Sequence, residues 1–144
     1  MHPFPHRYAV SAMAAPASVV TLRSAELEDI QSSAPPEFGG PAGNWSPETL
    51  FVAAIADCYI LSFRAVANAS KLEWSEIDCD AVGVLEKTAQ GLWFTVIELQ
   101  AHLRIPAGGD VPRAERLLEK AEQACLVSKS LRSEVRLQTE VRVG

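Results

Sequence analysis

Residues 34–74 read APPEFGGPAGNWSPETLFVAAIADCYILSFRAVANASKLEW, and this stretch decides the fold. Its opening run, Pro35 to Gly43, holds three prolines and three glycines. No regular element accepts that mixture, so the run is a loop, and a loop of that length in a compact domain hints at a functional segment. Ser46-Pro47 then opens a helix. Serine supplies an acceptor for the orphan amides of the first turn, and proline at the first helical position gives up no hydrogen bond. The helix is expected to run to about Ser70. Leu50, Phe51, Val52, Ile55, Ile60, Leu61, Phe63 and Val66 cover nearly its full circumference, the pattern of a helix buried on most sides.

Before this helix, His6 to Met13 and Ser18 to Ser24 read as two short strands around the turn Ala14-Ala15-Pro16-Ala17, with Ile30 to Ala34 a third. After it the hydrophobic period falls to two. Ile77 to Lys87, the turn Thr88-Ala89-Gln90-Gly91, and an alternating run from Trp93 through Ile97, Leu99 and Leu103 to Ile105 form an antiparallel hairpin. Asp110 caps a second helix with Pro112 near its start. Ala114, Leu117, Leu118, Ala121 and Cys125 share one face of it, which turns Cys125 inward and places it in the last turn. Val135 to Val143 alternates with Arg136, Gln138, Glu140 and Arg142 as a final half-wet strand. The order departs from the strict βαβα alternation of a doubly wound sheet. The expected architecture is a single α+β domain over residues 1–144, with antiparallel sheets packed around a long, buried central helix.

A chain of 144 residues with 48% hydrophobic and 22% charged residues can bury a core without staples. A formal charge of −5 argues against a nucleic-acid groove, which needs clustered Lys and Arg. The run Leu50 to Ile60, cut by Asp57, is shorter than a bilayer requires. The N-terminus carries no export signal, so the expected location is cytoplasmic. Three cysteines, Cys58, Cys79 and Cys125, lack the spacing of a secreted disulfide framework or a zinc site. Any disulfide among them is then a transient, working one. His2, His6 and His102 are too scattered to suggest a metal centre.

Residues 34–74, together with RLLEKAEQACLVSKSL at 116–131, resemble the OsmC/Ohr family, named for osmotically inducible protein C and organic hydroperoxide resistance protein. The shared pattern is a Pro-Glu pair opening a helix, a cysteine ten residues after that Glu, and a late cysteine ahead of Ser-x-Ser-Leu. Here these are Pro47-Glu48, Cys58, and Cys125 with Ser128-Lys129-Ser130-Leu131. The resemblance implies an intertwined homodimer that reduces organic hydroperoxides. Cys58 would be the peroxidatic thiol and Cys125 the resolving one, with an external dithiol as reductant and no metal, haem or flavin. It also implies a site role for Glu48.

Read bottom-up, the residues agree with this only in part. Cys58 stands mid-helix among apolar side chains, where desolvation raises a thiol's pKa. Cys125, at the negative end of its helix, suits the resolving role. The hydroperoxidase branch pairs its glutamate with an arginine in the first turn, but Ala14-Ala15-Pro16-Ala17 has none, leaving Arg23, Arg7 and Lys129 as substitutes. Ten residues of helix rise about 15 Å. Either the helix starts late or Glu48 reaches the site across a dimer interface; the plainer role for Glu48 is to complement the helix dipole. Phe51, Tyr59, Phe63, Leu126 and Val127 would suit an alkyl peroxide. Two other readings stay open: a small-molecule binder on the same scaffold, and a structural dimer with inert, packed cysteines.

Overall fold

Proline, glycine and small polar residues cut the N-terminal region into short pieces. A computed structural model describes Met1–Gly144, and the chain divides into two compact units, Met1–Leu50 and Phe51–Gly144. In the first, β1 (Ser11–Met13), β2 (Val20–Arg23) and β3 (Ile30–Ser32) form an antiparallel meander. The strands are shorter than the hydrophobic pattern suggests because side chains close the ladder at both ends of the first hairpin. The Ser18 hydroxyl accepts from the Ala15 amide at 2.8 Å. At the other end the Ser24 hydroxyl donates to the Ala9 carbonyl at 2.9 Å. The Pro/Gly run that follows is irregular as expected, apart from one 3₁₀ turn at Pro36–Phe38. A Cβ on Gly40 would lie 1.7 Å from the Ala34 carbonyl oxygen, so that position accepts glycine alone.

Helix α1 (Pro47–Ala69) starts where the Ser-Pro pair places it. The Thr49 amide donates to the Ser46 hydroxyl at 3.1 Å, while the Ser46 amide donates to Thr49 Oγ1 at 2.8 Å. This is a reciprocal capping box with threonine as the third helical residue. By length and apolar composition, with a mean hydropathy of 1.8, the helix could cross a membrane. What it does in the second unit is supply core. Ile55, Tyr59, Phe63, Val66 and Ala67 are buried, a stripe at helical spacing. Burial is confined to that stripe: Leu61 is 51% exposed, and Ala54 and Ala65 are also exposed. Ala54, Leu61 and Ala65 lie on one exposed apolar side of the helix.

The hairpin β4 (Glu76–Thr88) and β5 (Gly91–Ile105) pairs antiparallel, from Glu76 opposite Arg104 to Thr88 opposite Gly91. Its inner face lays Ile97, Leu99, Ala101, Leu103 and Ile105 into the core. A bulge breaks the alternation near the tip: Val84 faces Val96 but Leu85 faces Phe94, so Thr95 is the extra residue. The phase therefore flips, and Phe94 packs on the core and stacks on Phe51 at 4.9 Å where a simple alternation would put Thr95. Gly83 makes room, since a Cβ there would meet Val52 at 2.7 Å and Phe94 at 3.0 Å.

Helix α2 (Val111–Ala124) is capped by Asp110, whose carboxylate accepts from the Arg113 amide at 2.9 Å. Its buried face is Ala114, Leu117, Leu118 and Ala121, and the Tyr59 hydroxyl ties it to α1 by donating to the Leu118 carbonyl at 3.1 Å. The last strand, β6 (Glu134–Val143), pairs with β5 in parallel, giving the order β4-β5-β6. The expectation of purely antiparallel sheets is corrected here. An intervening helix returns the chain to the end from which β5 started, so the next strand must run the same way.

Candidate functional site

Cys125 lies one residue past the end of α2, and this changes its chemistry. Its backbone is extended (φ −67°, ψ 111°), and it serves as N-cap of a single helical turn, α3 (Leu126–Lys129). The expectation that it sits in the last turn of α2, against the negative end of a dipole, is corrected. At a helix start the first amides have no backbone partner and point toward the cap residue. The sulfur is fully buried. Burial alone would push its pKa up, but the Ser128 hydroxyl and amide, the Cys58 thiol and the Val127 amide together draw it below the usual thiol range. The two amide contacts are looser than a well-formed capping hydrogen bond.

Cys58 meets this junction from the middle of α1. It is half-buried, with the Ser62 hydroxyl one turn along at 4.0 Å. Burial pushes its thiol up, and the neighbouring Cys125 thiol adds to that; the Val127 amide pulls the other way. The two sulfurs are near enough to act on each other's ionisation, although Ser62 is the only formed hydrogen-bond partner of the Cys58 thiol. Of the two, Cys125 is the sulfur drawn toward the thiolate. The structure thus brings together residues 67 positions apart in sequence.

Glu48 does not join them within one chain. Helix α1 is unbroken from Pro47, so the ten residues to Cys58 rise about 15 Å, which removes the option of a late helix start. The Glu48 Oε2 atom is buried without a hydrogen-bond partner. Of the suggested cations, Arg23 pairs with Asp29 at 3.0 Å, and Arg7 and Lys129 are exposed. Arg132, close to the junction in sequence, lies over the Trp93 ring at 3.8 Å.

The expected apolar surround of Cys58 also needs revision. Tyr59 and Phe63 are fully buried in the core stripe, whereas Leu61 and Ser62 share the side of α1 that Cys58 occupies. An open groove of about 820 Å³ lies further along α1, lined by Leu61, Arg64, Lys71, Leu72, Glu73 and Trp74, and neither Cys58 nor Cys125 lines it. Cys79 lies elsewhere, on the inner face of β4. His102 is flanked by Asp78 at 2.6 Å and Glu140 at 3.9 Å across the outer face of its sheet. Asp78, Asp80 and His102 thus form a small polar cluster that scattered histidines did not suggest. Sequence reasoning missed the part played by Val127 and Ser128. The signals were the Ser-x-Ser-Leu segment that Ser128 opens and the spacing Cys125-x-x-Ser128, which is that of an N-cap and the third helical residue, although cysteine is a poor cap marker.

A family profile described as OsmC-like protein matches residues 40–140. The "Organic hydroperoxide resistance protein" of Xanthomonas axonopodis pv. citri is 34% identical over 110 residues, 74% of this chain and 74% of that protein. The "Uncharacterized protein YmaD" of Bacillus subtilis is 28% identical over 114 residues, 77% of this chain and 76% of that protein. Among solved structures, an OsmC-like protein of unknown function from Vibrio cholerae superposes with a TM-score of 0.87 at 21% identity, covering 94% of this chain and 100% of that one. The likeness to the Vibrio structure carries the fold.

Proposed function

The chain belongs to the OsmC-like family, and from that premise we propose that it is a thiol peroxidase that reduces organic hydroperoxides through Cys58 and Cys125. One observation carries this reading: the two thiols are near neighbours that act on each other's ionisation, one half-buried and one fully buried. A reachable sulfur backed by a second, hidden one is what a sulfenic acid and disulfide cycle needs. The Cys58 thiolate attacks the terminal peroxide oxygen. An S–O bond forms, the O–O bond breaks, and the departing alkoxide takes a proton to leave as the alcohol. The Cys125 thiolate then attacks the sulfenic sulfur, forming the disulfide and expelling hydroxide, which is protonated to water. An external dithiol restores both thiols by two exchange steps.

Leu61, exposed one helical turn from Cys58, offers apolar surface to the organic half of such a peroxide. The uncovered apolar side of α1 and the partnerless Glu48 oxygen support assembly as a homodimer. Light scattering is expected to return twice the 15.6 kDa of one chain.

The deciding experiment is mass spectrometry with peptide mapping after one equivalent of cumene hydroperoxide. The expected product is a Cys58 to Cys125 disulfide, formed faster than with hydrogen peroxide. Thiols left free would overturn the peroxidase reading.

A further inference from the structure

Ser128 is an anomaly among the hydroxyls of this chain. It is only 7% exposed, and its oxygen is wholly inaccessible yet has no formed hydrogen bond. Nearby serines are satisfied: Ser130 donates to the Leu126 carbonyl at 2.9 Å, and Ser133 to the Phe94 carbonyl at 2.6 Å. A buried hydroxyl left idle is unfavourable, and such groups call for an explanation. The third helical position, counted from a cap residue, turns its side chain back toward the cap. Ser128 holds that position in α3, and the cap is Cys125. The hydroxyl approaches the Cys125 sulfur without a formed bond. A protonated thiol is a weak acceptor, whereas a thiolate is a strong one.

We propose that the Ser128 hydroxyl is a catalytic hydrogen-bond donor to the Cys125 sulfur, holding Cys125 as the thiolate that attacks the Cys58 sulfenic acid. This rests on the two-cysteine peroxidase reading and concerns its second half, the formation of the disulfide. Cys58, as thiolate, attacks the terminal peroxide oxygen, and the departing alkoxide takes a proton from water to leave as the alcohol. The Cys125 thiolate then attacks the Cys58 sulfenic sulfur, the disulfide bond forms, and the hydroxide released is protonated to water. Two electrons pass from the two sulfurs to the peroxide. The groups that act most strongly on Cys125 are uncharged in this scheme: the Cys58 thiol from α1, and the Val127 amide and the Ser128 amide and hydroxyl from α3.

The test is thiolate absorbance as a function of pH, measured on the reduced protein without peroxide. The wild type is expected to show a first thiolate transition that disappears in Cys125→Ser. In Ser128→Ala the corresponding ionisation constant falls about tenfold, the size of one hydrogen bond to a charged acceptor. Ser128→Thr keeps the donor and titrates as the wild type does. Ser130→Ala, which removes a neighbouring hydroxyl bonded elsewhere, also leaves the curve in place, so a shift in Ser128→Ala is not general damage to α3. Thermal melting of each variant establishes that it is folded. Identical curves for the wild type and Ser128→Ala overturn the proposal, whatever turnover does. In parallel assays with cumene hydroperoxide, Ser128→Ala is expected to lose about tenfold in kcat near neutral pH and recover as pH rises, with little change in KM. A Ser128-dependent titration in a wild type that turns over no peroxide overturns the peroxidase reading and leaves the donor role standing.

Discussion

Cys79 on β4 and Cys125 at the α2–α3 junction sit against the same core, yet their sulfurs are driven in opposite directions. Cys79 is pushed up to about 11, chiefly by burial and then by the Asp80 and Asp78 carboxylates. Cys125 is fully closed to solvent and is drawn down. The difference lies in what each backbone has left to offer. Within a ladder, strand amides are spent on the neighbouring strand: Cys79 is paired opposite Ala101, and its sulfur finds only the Asp80 carbonyl at 3.7 Å. A chain that stops one helix and starts another has amides to spare. Burial alone therefore makes a cysteine inert, and a backbone break beside it can make it reactive.

The largest expected effect breaks the two regions apart. Cys58→Ser or Cys125→Ser should lower hydroperoxide turnover by about a thousandfold, since removing a nucleophile or its working partner disables a unit that acts together. Cys79→Ser should leave turnover within about twofold. A Cys79 variant as inactive as Cys58→Ser would erase the distinction drawn above. A smaller effect concerns the strut between the regions. Tyr59, whose hydroxyl bonds the Leu118 carbonyl on α2, can be replaced by phenylalanine. Chemical denaturation should then show a loss of about 1 kcal/mol at unchanged m-value, the usual worth of one buried hydrogen bond. No loss would mean that α2, and the junction it carries, is held by apolar packing alone.

Most of the architecture was legible in periodicity, because each element keeps one repeat over many residues. Ile55, Tyr59 and Phe63 at spacing four, and Ile97, Leu99, Ala101 and Leu103 at spacing two, leave little room for error. The illegible features are those set by a single residue. The bulge at Thr95 inverts the phase of the hairpin tip, and the glycine that goes with it, Gly83, lies on the opposite strand. The α2 break falls just before Cys125 with neither proline nor glycine to mark it, so the residue reads as part of the last turn. The site inherits that ambiguity. Cys58 and Cys125 were identifiable from the family pattern, but which of them ionises first depends on where α2 stops. The parallel course of β6 was hidden too, because alternation sets the face of a strand and leaves its direction open.

The subtlest comparison is one of pH, and its signs follow from proton binding. Stability rises with pH wherever the unfolded chain holds more protons than the folded one, and falls in the opposite case. An ordinary thiol ionises near 9.0, whereas folded Cys79 keeps its proton until about 11. Between those values the unfolded chain holds fewer protons, so Cys79 makes stability fall as pH climbs from about 9 to about 11. Tyr59 acts in the same sense from its ordinary value of 10.0 upward, because its buried hydroxyl resists ionisation. Cys125 does the reverse below 9.0. The folded form has already lost a proton that the unfolded chain still carries, so stability rises toward pH 9 and is lost as pH falls through its depressed folded value. Denaturation series across pH should therefore separate the two cysteines. Cys125→Ser flattens the rising limb below pH 9, whereas Cys79→Ala makes the falling limb above 9 shallower and leaves the remainder to Cys58 and, above 10, to Tyr59. If Cys125→Ser and Cys79→Ala altered the same limb, the two sulfurs would share one environment, and the contrast between strand and helix start would fail.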